Sequence, residues 1–170
     1  MPRSAPLLLA LVAASMAGCA GYQLGSTHSL APRSSSVQVN LFRNDTPEPR
    51  LSETVANALR KALQQDGTYR LDTHDQGDLV VNGTITEVKR QNLSYQPNDV
   101  ITGRDYRLLV VAHLTVTDRR TGKVVLEREV AGRTKVAAVS DLASAERQAV
   151  PLAAEDLARQ ATSLLADGQW

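Results

Sequence analysis

A chain of 170 residues suits one domain and can bury a core without staples. With 42% hydrophobic and 22% charged residues it is globular rather than disordered, and 19 Lys plus Arg against 18 Asp plus Glu disfavours a strongly basic nucleic-acid binder. Aromatics at 4% argue against a base-stacking surface, and the single cysteine forbids an internal disulfide or a Cys-based zinc cluster.

The chain opens with Arg3, an apolar run from Leu7 to Ala14, and the small-residue stretch Ser15-Met16-Ala17-Gly18 before Cys19. A basic start, a short apolar run and small residues make residues 1–18 a secretory signal peptide. The run is too short for a spanning helix, which needs about 20 apolar residues. Small residues directly before the sole Cys resemble a bacterial lipobox, with Met16 where Leu is commonest. That resemblance implies cleavage before Cys19 and a lipid on its thiol. An exposed free thiol in an oxidising compartment is a liability that lipidation removes. Ala20, rather than Asp, follows the Cys; by likeness to sorted lipoproteins this implies the outer membrane.

Residues 19–36 are expected to be a tether, because 26–36 (STHSLAPRSSS) is Ser-rich and aperiodic. A single domain is expected over 37–170. Val37, Val39 and Leu41 alternate with Gln38 and Asn40, as in a short strand. Asn44 to Pro49 is a turn opening a helix. Leu51, Val55, Ala58, Leu59, Ala62 and Leu63 form its apolar stripe, and Gly67 is a good C′ residue. Tyr69 and Leu71 make a short extended piece. Leu79, Val81, Gly83 and Ile85 alternate with polar or smaller partners in a second long strand. Asn82-Gly83 fits a hairpin turn, but the flanks favour a continuous strand with a bulge or close backbone approach at Gly83.

Residues 91–103 (QNLSYQPNDVITG) read as a long loop of a length that is often functional. The alternation from Tyr106 to Val116 predicts the longest strand, apolar enough on both sides to be central. Asp118 to Lys123 is a hairpin connection, and Val124, Leu126, Arg128 and Val130 share one face of a fourth strand. Asp141 to Ala166 is Ala-rich and helical, with a kink or restart expected at Pro151. The order β-α-β-β-β-α predicts an α+β fold: two helices packed on one face of a four-stranded mixed or antiparallel sheet. The other face is exposed or covered by a partner.

Catalytic patterns are absent from the sequence. His28, His74 and His113 are far apart, no spacing suggests a metal site, and no glycine-rich phosphate loop occurs. Neither a catalytic residue, a cofactor nor a metal is expected. Charge is unevenly spread: residues 86–135 carry ten basic and six acidic side chains, while 141–170 carry two and five. A basic sheet edge receives phosphates or carboxylates; equally, edge charges deter aggregation.

The order of local patterns resembles the LPS-assembly lipoproteins (LptE-like). Cys19-Ala20-Gly21-Tyr22-Gln23-Leu24 is similar to that family's Cys-Gly-Tyr-X-Leu start, with Ala20 as an extra residue. Val37 to Thr46 looks like the first strand and its Phe-X-Asn-X-Thr turn, Leu51 to Leu63 like the helix that follows, Leu79 to Ile85 like the next strand, and Tyr106 to Val116 like the long strand after a variable loop. The resemblance implies a non-enzymatic outer-membrane lipoprotein with a two-helix, four-stranded fold. It implies a plug-and-barrel partnership with an LptD-like β-barrel, assembly assistance to that barrel, and contact with LPS. Lys89, Arg90, Arg104, Arg107 and Arg128 are the candidates for pairing with lipid A phosphates or acidic barrel residues, chosen from charge and position. The rival readings are a lipoprotein that activates a peptidoglycan synthase or pilots a secretin, and a lipid-anchored hydrolase built around His113.

Overall fold

The computed structural model describes residues 35–92, 106–136 and 142–168. The signal peptide, Cys19, most of the tether, loop residues 93–103 and Arg104 lie outside them. In chain order the elements are β1 (Ser36–Val39), β2 (Arg43–Asn44), α1 (Leu51–Asp66), β3 (Arg70–Asp72), β4 (Leu79–Asn92), β5 (Tyr106–Asp118), β6 (Val124–Val136) and α2 (Leu142–Asp167). They build one mixed sheet in the order β3-β1-β4-β5-β6, with β2 continuing the β1 position along β4. β1 is parallel to β3 and β4, β2 is parallel to β4, and β4, β5 and β6 are antiparallel.

The α+β class and the two helices on one face are as expected. The strand count is six rather than four. The Tyr69–Leu71 piece is a parallel edge strand, and the first strand is broken in two at residues 40–42. Phe42 lies in this break, with its ring on Gly83 of β4. A Cβ at Gly83 would stand 2.1 Å from Phe42 Cε1. Gly83 therefore marks a close approach. The bulge falls later, between Ile85 and Glu87. Ser36, expected as the last residue of the tether, is buried in β1, and its N–H and Oγ both donate to Asp78 Oδ2 at 2.8 Å. Gln91 and Asn92, expected in the loop, extend β4 opposite Arg107 and Tyr106.

Alternation sends Val37, Val81, Ile85, Leu108, Val110, Leu114 and Val116 to the helix side, where all are buried. α1 meets them with Leu51, Val55, Leu59 and Leu63, and Gly67 closes it at φ 74 with its N–H on Leu63 O. α2 runs unbroken through Pro151, so the expected restart is a correction. The Pro151 ring is on the exposed side, and packing of the following turns holds the helix despite the missing donor. Its buried stripe is small: Ala149, Ala153, Ala154, Leu157, Ala158, Ala161 and Leu165. Short side chains let the helix sit directly on β6. A Cβ at Gly132 would stand 2.0 Å from Ala153 O.

Candidate functional site

Two bulges decide which charges meet. Before the Ile85/Glu87 irregularity, odd residues of β4 point to the helices; after it, even ones do. Arg90 therefore lies on the helix side and Lys89 on the open side. In β5, Arg107, Leu109, Val111, His113 and Thr115 point to the open face, opposite the buried even residues. A second irregularity, at Val116/Thr117, sets the register of β6, whose Arg133 and Lys135 also face the open side.

The rows across the open face follow from the pairing. Gln91, Arg107 and Lys135 form the outermost row, and Lys89, Leu109 and Arg133 the next. Glu87, Val111 and Ala131 come third, then Thr84, His113 and Glu129, then Asn82, Thr115 and Glu127. The far end is thus basic around the part-buried Leu109 and the buried Val111, while the middle is acidic. Glu87 pairs with Lys89 at 2.5 Å. Arg107, Arg133 and Lys135 make no side-chain ion pair or hydrogen bond among the described residues. Arg107 stands directly opposite Lys135, and like charges so placed destabilise a sheet. A repulsion that no described residue relieves, beside an apolar floor, is an arrangement that an anionic, partly apolar ligand would relieve.

The opposite face of the same strand ends is closed. Arg90 grips Glu146 of α2 through two hydrogen bonds, Nε to Oε1 and Nη2 to Oε2, and Tyr106 donates its OH to Glu146 Oε1 at 2.8 Å. The Arg90 hydrogen bonds hold the Glu146 carboxyl below its ordinary range, and the Tyr106 OH bond adds to this. Burial, then the Glu146 bond, pushes the Tyr106 hydroxyl up to about 12. Beneath them Tyr106, Leu108, Val136 and Ala149 form a small apolar cluster of their own.

Of the five residues chosen from the sequence, Lys89 and Arg107 come together on the open face. Arg90 is engaged by Glu146, and Arg128 lies on the helix side of β6, donating Nη1 to Glu127 O. Arg104 is outside the described residues. Arg133 and Lys135 complete the open-face cluster and are absent from the sequence-derived set. Alternation from Leu126 and Val130 already places both on the open face; only the register sets Lys135 opposite Arg107. His113 meets Glu127 at 2.9 Å on the exposed open face, and no serine hydroxyl joins its ring among the described residues. Three or more metal-ligating side chains do not gather anywhere among those residues. A shallow groove of 90 Å3 between the helices, lined by Ala58, Lys61, Ala62, Gln65, Glu155 and Arg159, is well below the roughly 300–1,000 Å3 of small-molecule sites. No described helix is long and apolar enough to cross a membrane.

The family model described as lipopolysaccharide-assembly (LptE) matches residues 34–165. Solved structures share the architecture at low identity. A minor lipoprotein from Acinetobacter baumannii aligns with TM-score 0.54 and 16% identity, covering 78% of this chain and 92% of its own. A hypothetical protein from Chlamydia trachomatis aligns with 0.57 and 11%, over 78% and 96%. A protein from Xanthomonas campestris aligns with 0.52 and 12%, over 80% and 84%. At these identities the likeness is one of fold. No curated protein sequence matches the chain.

Proposed function

The chain belongs to the lipopolysaccharide-assembly (LptE) family, and from that premise we propose a lipid-anchored outer-membrane binding protein whose open sheet face takes LPS phosphates. Cys19 carries the anchor at the periplasmic face. An LptD-like β-barrel is the partner that the domain plugs and helps to assemble. The reading needs no catalytic group; it needs a surface that receives anions and apolar matter together.

The observation that carries it is the opposed pair Arg107 and Lys135, without an acidic partner among the described residues, with Arg133 and Lys89 beside it and Leu109 and Val111 as floor. A bound phosphate would sit between cations that otherwise repel. Acyl or sugar surface would cover the apolar row. The helix-side cations Arg90 and Arg128 have partners already and are not part of this surface.

The test is LPS binding to the full lipidated chain in detergent, at two salt concentrations. Arg107→Glu with Lys135→Glu should abolish the salt-sensitive component, and Arg128→Ser should leave it intact. Equal binding by all three proteins would refute the assignment. A detergent pull-down from native membranes tests the partner: a large β-barrel supports the reading, and a peptidoglycan synthase or a secretin supports its rival.

A further inference from the structure

β6 is an edge strand. β5 pairs with one side of it, and no described strand pairs with the other. One hydrogen bond identifies the outward backbone groups: the Arg133 N–H leaves the sheet and donates to Asp156 Oδ2 of α2 at 2.9 Å. Antiparallel alternation then turns the N–H and C=O of Glu127, Glu129, Ala131 and Lys135 outward as well. Such a row is a template for another strand.

The side chains above that edge form an antisymmetric series. On the open face β6 reads Glu127, Glu129, Ala131, Arg133, Lys135: two acids, a neutral centre, two bases. We propose that β6 pairs antiparallel with β6 of a second copy, about a two-fold axis through Ala131. In that register Glu129 stands opposite Arg133 of the second copy, and Glu127 opposite its Lys135. The symmetry repeats both pairs, so all eight open-face charges are matched, while Arg128 on the helix side meets Thr134. On the helix side Leu126 meets Val136 and Val130 meets Gly132. Moving the axis by one residue leaves half the charges unmatched. Moving it by two puts Glu129 against Glu129 or Arg133 against Arg133. Charge therefore selects one register.

An edge charged only to deter pairing would repel its own copy in every register; this one matches all its open-face charges in one. The Asp156 carboxylate occupies the Arg133 N–H in the single chain. The Glu129 carbonyl of the second copy takes its place in the pair, so strands that cannot offer such a match are met by the Asp156 cap. The proposal goes beyond the LPS reading but shares Arg133 and Lys135 with it, which makes LPS and the second copy competitors for the basic end.

The test uses the full lipidated chain in detergent. The axis sets residue 131 opposite itself, at a Cα separation of about 5.5 Å that a disulfide spans. Ala131→Cys should give a covalent dimer under mild oxidation, and Thr115→Cys, on the same face but in the central strand, should not. By sedimentation equilibrium, Glu129→Arg should weaken the dimer about tenfold, and adding Arg133→Glu should restore it. A monomer at every concentration with no cross-link at residue 131 overturns the proposal. So does a dimer indifferent to Glu129→Arg, or one that the second reversal does not rescue. Glu129→Arg leaves the basic cluster whole, so the two readings fail separately: a chain that binds LPS as a strict monomer sinks this one alone.

Discussion

The two faces of the sheet's far end carry charges of the same kind in opposite circumstances. On the helix side Arg90 is held by Glu146, which also accepts from Tyr106, and the group ties β4, β5 and α2 together. On the open side Arg107, Arg133 and Lys135 stand without acidic partners among the described residues, two of them directly opposed. The first arrangement stabilises the fold. The second costs stability and presents a surface, and in the function proposed above that cost is what an anionic ligand relieves.

Substitutions can break either half of this comparison. The largest effect is expected where α2 rests on β6. Gly132→Ala would drive a Cβ into Ala153 O, which is backbone and cannot rotate away. A loss of about 3 kcal/mol or more is expected in denaturant unfolding, with no direct effect on the basic rows. Glu146→Ala comes next. It frees Arg90 and Tyr106 together, and because the Arg90 side chain is 55% exposed the loss should stay near 1–2 kcal/mol.

The same group sets a pH window. The Glu146 carboxyl is lowered in the folded chain, so its contribution is present above the ordinary value of 4.5 and is lost as pH falls through the lower folded value. Tyr106 is raised, so its contribution is complete below its ordinary value of 10.0 and is lost as pH rises through about 12. Glu146→Gln should flatten the acid limb of a Tm-against-pH profile; an unchanged limb would show that the group is not coupled to folding.

The open face should respond with the opposite sign. Lys135→Glu converts the repulsion with Arg107 into attraction and should stabilise the fold by about 0.2–1 kcal/mol while weakening LPS binding. A variant that loses stability and affinity together would argue that Lys135 is structural. The smallest effect is expected at Lys61, whose pair with Glu155 at 3.2 Å is exposed on both sides. Lys61→Ala should change stability by less than about 0.5 kcal/mol.

Much of the fold was legible because alternation and the 3.6-residue stripe are local. β4, β5, β6, α1 and α2 all announce themselves that way, and Gly67 and Gly122 mark their turns with φ of 74 and 68. The candidate site was half legible. Of the cations picked from the sequence, Lys89 and Arg107 lie on the open face and Arg90 and Arg128 on the helix side, while Arg133 and Lys135, also on the open face, were not among them. Continuing the alternation from Leu79, Val81 and Ile85 puts Lys89 inward and Arg90 outward. The extra residue at Thr86 reverses both.

By itself the sequence determined the α+β class, the helix stripes and the uneven charge. These are contiguous signals, set by a segment's own composition and periodicity. Only the tertiary structure decided which charges meet. A strand's face is set by its partner's register, and one inserted residue moves every later side chain to the other side. The bulge after Ile85, invisible as composition, puts Arg90 on the helix side with Glu146 and away from Arg107 and Lys135, which have no acidic partner among the described residues.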